Sequence, residues 1–521
     1  MINIRTENFL RNMKINLIFY ILVIITSFIA RSIFIKILGS DITGLNSLYI
    51  SLIGLLNVAE LGVATAVGYS LYKPLSENNF KKINEIMLLF KYYYRNIAKI
   101  VLLLGVIISV VLPVLIKGEI DIKLAYIYYF IYLINATISY LFTYKQTLII
   151  ADQKQFKISY ILNLMKIFKM ILQSIVIYYF RSFLIWLIVE FLINLLSMQL
   201  ANKRIDIEYR NILFIDDKKS INDIKKENIE IGKNIKNVFF HKIAAFVIYQ
   251  TDSILITAFT TLKDTAIYAN YMMIINALTG LLNTAIGSIM PGIGNLIAKE
   301  SKEKVYDTFK VLFLFDNIIA IFITTITFHI INEFIIFWVG SEYLFSKYIV
   351  LVLIINLYIQ IARGSVDRFK DGFGIYWDVF APITESIINL FFSIILTIKF
   401  GITGVFLGTI ISNVIIVVIW KPYIVFKEGF KINIINHLKQ SFNIYIRNII
   451  IAVTSSWFYY NIIINLDVSN IFFNLLIHFL ILSLFCFALI VLVFFNVKEF
   501  KKILLLIKNN FLGVLKKISI N

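Results

Sequence analysis

Residues 15–38 read INLIFYILVIITSFIARSIFIKIL, an apolar run whose only charged side chains are Arg31 and Lys36. A helix needs about 20 such residues to cross a hydrocarbon core of roughly 30 Å. Outward from this run, similar stretches lie near 48–72, 97–116, 124–144, 158–180, 182–202, 237–260, 265–290, 308–336, 345–364, 376–398, 402–420, 445–465 and 471–495. The pattern predicts an all-α integral membrane protein with about 14 transmembrane helices.

The basic residues order these spans. Most of the 50 Lys and Arg fall in every second gap, and the opposite side holds only Lys117, Lys123, Arg181, Lys263, Lys347 and Lys399. By the positive-inside rule both termini are expected in the cytoplasm. A formal charge of +19 beside 60% hydrophobic residues suits cytoplasmic rims facing anionic lipid headgroups and argues against nucleic acid as a partner. The single cysteine, Cys486, excludes an intrachain disulfide and disfavours a thiolate metal site. Asn3, Arg5, Glu7 and Arg11 precede a span too long for a signal h-region, so a retained first helix is expected.

The basic and acidic connection between Lys203 and Lys236 separates six spans from eight. At an offset near 221, Arg31-Ser32-Ile33 falls on Asp252-Ser253-Ile254, and the charged turn at Lys81 falls on that at Lys302. Two six-span units in the same orientation are then expected, related by an axis along the membrane normal. The expected organisation is a first six-helix lobe at 1–202, a cytoplasmic linker at 203–236, a second six-helix lobe at 237–430, two additional spans at 431–497 and a basic amphipathic cytoplasmic tail at 498–521.

Ionisable groups at span depth are costly and are therefore functional candidates. Arg31 lies deep in the first span and cannot shed its charge. Lys166 and Lys169 stand three apart on one helical face, which Gln173 continues. That face either lines a polar cavity or pairs with Glu190 or Asp252. Glu60, in Ala59-Glu60-Leu61-Gly62, Asp252, opposite Arg31 in the repeat, and Glu385, three residues after Pro382, are candidates for gating or ion coupling. Lys99 and Lys242 sit near span ends and reach the headgroups by snorkelling. There is no Walker phosphate loop and no HExxH, and His241, His329, His437 and His478 are scattered, so no metal and no cofactor are expected.

Two stretches carry a family resemblance. ILGSDITGLNSLYISLIGLLNVAELGVATAVGYSLYKPL, at 37–75, and RFKDGFGIYWDVFAPITESIINLFFSIILTIKFGITGVFLGTIISNVIIVVIWKPYIVFKEGF, at 368–430, resemble the Wzx-like oligosaccharide flippases, the polysaccharide transport proteins of the multidrug/oligosaccharidyl-lipid/polysaccharide exporter superfamily. The resemblance implies a V-shaped bundle of two six-helix lobes in the bacterial cytoplasmic membrane. It also implies transport without enzymatic chemistry. The cargo would be oligosaccharide linked through pyrophosphate to undecaprenol, and polysaccharide polymerase and glycosyltransferases would be further partners. Matching positions such as Gly44, Gly62, Asn389, Gly404, Gly408 and Thr409 look architectural. Arg31 resembles the first-helix arginine of lipid II flippases, although Ser32 stands where an aspartate commonly follows. Val379-Phe380-Ala381-Pro382 replaces bases found in relatives after Asp378, which leaves Arg363, Arg368 or Lys370 to serve instead.

A pyrophosphate with about two negative charges cannot cross hydrocarbon unaided. Arg31, Lys166 and Lys169, with Arg363 and Arg368, are therefore the candidate cargo-binding residues. A lipid II flippase differs only in the headgroup it carries. A cation-coupled multidrug exporter of the same superfamily should want an acidic cavity, and a membrane-embedded glycosyltransferase should show a large external loop, which this chain lacks.

Overall fold

The computed structural model describes the backbone of residues 2–60, 63–213, 215, 219–229, 231–232, 251–286, 290–375, 377–378, 380–466 and 469–506. Side chains are described in the same ranges except at 2–16, 58–59, 65–66, 285–286 and 290–291. Among the described residues every regular element is a helix. The chain is a multi-pass, all-helical membrane protein, with 11 helices in the described residues long and apolar enough to cross a bilayer.

The chain divides into two compact units, Met1–Ala269 and Asn270–Asn521. The first contains α1 (Ile2–Leu56), α2 (Val63–Ser76), α3 (Phe80–Ser109), α4 (Ile122–Thr143), α5 (Phe156–Phe180) and α6 (Phe183–Glu208). Capping residues fix where three of these begin, because their side-chain oxygens satisfy amides that a helix leaves open. Asn79 accepts from the Lys82 amide at 3.0 Å, Asp121 from Lys123 and Leu124 at 2.8 and 3.3 Å, and Ser182 from Ile185 at 3.5 Å.

The expected spans at 15–38 and 48–72 take a different form. One long helix runs through both as far as Leu56, broken only at Gly39, whose φ of 80° lies in the region that favours glycine. The rest of the second expected span is a short 3-10 turn at Asn57–Glu60 followed by α2. Asn57 and Glu60 leave the apolar pattern because each has a tyrosine partner: Tyr140 donates to Asn57 at 2.5 Å, and Tyr94 donates to Glu60. Gly44 permits the close approach of α1 to the start of α7 (Leu262–Ile286), since a Cβ there would overlap the Leu262 carbonyl. The expected span at 237–260 lies largely outside the described residues.

The second unit contains most of α7, then α8 (Met290–Lys299), α9 (Lys302–Trp338), α10 (Lys347–Ala362), α11 (Gly364–Gly372), α12 (Phe380–Phe400), α13 (Ile402–Ser412), α14 (Ile435–Asn461) and α15 (Ile471–Phe494). Between lipid-facing helices there is little hydrophobic drive, so small residues and polar contacts supply cohesion. The α12–α13 hairpin follows that rule. A Cβ at Gly404 would overlap the Leu396 carbonyl, and one at Gly408 would meet Ser393. Ser393 donates to the Val405 carbonyl at 3.0 Å, and Asn389 to the Thr409 hydroxyl at 3.0 Å. Most of the expected span at 445–465 falls in α14, and its end forms a 3-10 turn at Ile463–Asn465; α14 carries Arg447, Asn448 and Ser455 and is more polar than its neighbours. Beyond α15, the start of the C-terminal segment is helical, burying Phe500 and Ile503 while Leu504 to Leu506 stay exposed.

Candidate functional site

Two helices of the first unit, α5 and α6, meet around one carboxylate. On α5, Lys166, Lys169 and Gln173 share a face at spacings of three and four residues, and on α6 Glu190 and Asn194 are one turn apart, so the two rows face each other. The Lys169 ammonium lies 2.5 Å from Glu190 Oε1 and 3.1 Å from Asn194 Oδ1. Gln173 donates to Glu190 Oε2 at 2.9 Å, and Asn194 donates to Oε1 at 3.0 Å. Glu190 is thereby held by three side chains.

Two further cations are linked to this hub. Lys166 is exposed, with Lys169 and Glu190 as its nearby charges. Arg31 of α1 and Glu190 both act electrostatically on Tyr132 of α4, whose hydroxyl donates to Asn46 of α1. Lys166 and Lys169 share the field of Glu190, and Arg31 joins them through Tyr132, on which Glu190 also acts, to make up the Arg31 cluster. Of the two arrangements open for the Lys166–Lys169 face, pairing with Glu190 occurs, and it engages Lys169 alone. The described partner of Asp252 is Tyr268.

The register of α5 against α6 is fixed at one end by a separate ionic knot. Lys157 lies 2.6 Å and Lys154 3.4 Å from Glu208, Lys154 lies 2.8 Å from Asp152, and Tyr209 donates to Asp152 at 2.7 Å. Burial works against the Lys154 charge, but Asp152 and Glu208 hold that ammonium above the usual lysine range. In water-facing loops such pairs contribute little singly, yet a shared network fixes geometry.

Arg363 and Arg368 belong to the second unit, in a network of different character. Arg368 lies 2.6 Å from Asp316, which also accepts from Ser365. Arg363 lies 3.1 Å and Lys421 2.9 Å from Asp367, and Lys370 lies 2.6 Å from Asp378. Buried Glu385 sits within the fields of Lys421, Arg363 and Asp367. Four cations here meet Asp316, Asp367, Asp371, Asp378 and Glu385, so carboxylates match the cations of this network.

Sequence reading missed Asn194, Tyr132 and Asn46, although the spacing of Glu190 and Asn194 could have flagged the first. It also read the histidines as scattered. Through the fold His329 stacks on Tyr459 at 4.5 Å between ring centres, and Tyr459 donates to Glu333, which lies 3.0 Å from His478 Nδ1. Among the described residues no three His, Cys, Asp or Glu converge as a metal site requires.

Solved structures share this fold. The lipid II flippase MurJ in an inward closed conformation superposes with a TM-score of 0.67 at 14% identity, covering 92% of this chain and 98% of that one. An inward-facing multidrug resistance MATE family transporter of the MOP superfamily superposes at 0.53 and 14% identity, covering 79% of this chain and 97% of that one. A MATE structure in complex with MaD5 gives 0.50 at 14% identity, covering 80% and 95%. No protein-family model matches the chain, and no curated protein matches it. At 14% identity the likeness concerns the fold.

Proposed function

We propose that the protein is a flippase that moves undecaprenyl-pyrophosphate-linked oligosaccharide across the bacterial cytoplasmic membrane, with both termini in the cytoplasm. One observation supports the reading: within membrane-spanning helices of the first unit, Lys169 pairs with Glu190, Lys166 stands in the field of both, and Arg31 and Glu190 both act on Tyr132, so three cations lie at span depth. Cationic groups at this depth are costly in hydrocarbon, and an anionic cargo lowers that cost. Arg31 offers a planar fork for phosphate oxygens, and exposed Lys166 offers a mobile point charge. Lys169, held by Glu190 and Asn194, positions the cluster. Asn and Tyr side chains nearby meet sugar hydroxyls, while the polyprenyl tail stays in lipid.

Alternating access by rocking of two helical repeats would carry the headgroup between the two faces of the membrane. Glu60, Asp252 and Glu385 are the groups available for gating or a coupling ion, and Arg363 and Arg368, engaged by carboxylates, are secondary candidates for the cargo. A lipid II flippase would use the same pyrophosphate chemistry. A multidrug exporter taking cations is disfavoured by the presence of Arg31, Lys166 and Lys169 at span depth. The test is reconstitution in liposomes with three labelled cargoes: a polyprenyl-pyrophosphate oligosaccharide, lipid II and a cationic dye. Transfer of the first is expected, and transfer of the dye alone would refute the reading.

A further inference from the structure

Beside the Arg31 cluster, α1 and α5 enclose a groove of about 1200 Å³. Its floor is apolar, formed by Ile29 and Ile33 of α1 and Ile171 and Ile175 of α5, and its far end carries two cations, Lys36 and Arg181. Both cations are exposed, and no described carboxylate pairs with either. Tyr178 and Tyr179, 67% and 75% exposed, flank that end. Exposed tyrosines beside a cationic helix terminus mark the level of lipid headgroups, where amphipathic rings settle. A groove with a cationic end at headgroup level and a hydrocarbon floor below it matches one kind of occupant, a lipid with an anionic phosphate headgroup and a chain to lay along the floor.

The groove runs along the same two helices that carry Arg31 and Lys169, and Ala30 and Met170, which line it, are their chain neighbours. Lys36 is five residues beyond Arg31, or about 7.5 Å along the helix, and Arg181 is twelve residues beyond Lys169, or about 18 Å. We infer that Lys36 and Arg181 form a second lipid-phosphate site, a station to which the cargo's phosphates pass from the Arg31 cluster. Naming the occupant as the cargo's carrier rests on the flippase reading, whereas the site's affinity for lipid phosphate does not. A free end of the groove at headgroup level allows the phosphates to rehydrate while the chain is still held, so the step from the cluster to water is divided in two.

The test measures retention of three lipids by the full-length purified protein in native mass spectrometry: undecaprenyl phosphate, phosphatidylglycerol and phosphatidylcholine. The variants are the double substitution Lys36→Gln/Arg181→Gln, which removes charge, and Ile33→Trp, which fills the floor, each checked for an unchanged melting temperature. Wild-type protein is expected to favour undecaprenyl phosphate over phosphatidylcholine by about tenfold or more, and the double variant to lose that preference. Loss for undecaprenyl phosphate alone assigns the site to the carrier. Equal loss for phosphatidylglycerol keeps the phosphate site and assigns it to bulk anionic lipid, which overturns the station. Unchanged retention by both folded variants overturns the site altogether. Should wild-type protein fail to move a pyrophosphate-linked oligosaccharide yet keep this charge-dependent retention, the flippase reading falls and the site stands.

Discussion

Glu190→Gln separates the two roles of the polar cluster. The Lys169–Glu190 pair spans 2.5 Å, and its side chains are only 14% and 18% exposed, so it is not a screened surface pair. At an effective dielectric of about 20 the gross attraction is roughly 6 to 7 kcal/mol, much of it offset by desolvation. Glutamine keeps an oxygen for Lys169 and Asn194 but turns an NH2 toward the Gln173 donor, now 2.9 Å from Glu190 Oε2. The expected net cost is about 2–4 kcal/mol. Removing the carboxylate also takes a negative charge away from Lys169 and Lys166, so retention of undecaprenyl phosphate should be equal to or tighter than wild type. Equilibrium unfolding in mixed micelles, beside lipid retention at a temperature where both proteins are folded, reads the two effects separately. Replacing both partners, Lys169→Met with Glu190→Leu, should recover most of the stability while lowering retention. A Glu190→Gln protein as stable as wild type, or one that binds the phosphate lipid more weakly while folded, would refute the reasoning.

Gly44→Val should cost about 1–3 kcal/mol, because the new Cβ overlaps the Leu262 carbonyl and α1 must shift; unfolding in micelles checks it. In a Cys486→Ala background, cysteines placed at exposed Ser220 and Ser341 should react with an impermeant maleimide from opposite sides of the membrane, with Ser220 cytoplasmic, and reaction from one side would contradict the expected topology. Truncation after Asn496 removes buried Phe500 and Ile503 and should lower stability by about 2–4 kcal/mol without abolishing transport; a stable but inactive truncation would give the segment a direct role.

Hydropathy made most of the fold legible because a bilayer imposes one length on every spanning helix, and the runs that became α3 to α6, α9, α10, α12 and α15 have that length and little charge. The second expected span failed for a physical reason. Asn57 and Glu60 turn to tyrosines on α4 and α3, and those partners lie 83 and 34 residues away in sequence. The candidate cations were legible because Arg31, Lys166 and Lys169 are charges at span depth, a rare and costly feature. Their surroundings were not: whether Lys169 faced a cavity or Glu190 depended on the register of α5 against α6, which an ionic knot around Glu208 helps to fix. His329 and His478 were read as scattered for the same reason, since their meeting at Tyr459 is a product of packing between α9, α14 and α15. That Arg363 and Arg368 are engaged by carboxylates of their own unit likewise required coordinates.

The central claim is that the Arg31 cluster holds the pyrophosphate of a lipid-linked oligosaccharide. Transfer of a labelled polyprenyl-pyrophosphate oligosaccharide into liposomes by Arg31→Ala and Arg31→Lys proteins, each matched to wild type in melting temperature and reconstitution, tests it most directly. Losing a charge-assisted bidentate grip should slow transfer by about tenfold to a hundredfold in Arg31→Ala, and Arg31→Lys should retain an intermediate rate because it keeps the charge without the fork. Wild-type transfer by a stable Arg31→Ala protein would contradict the account.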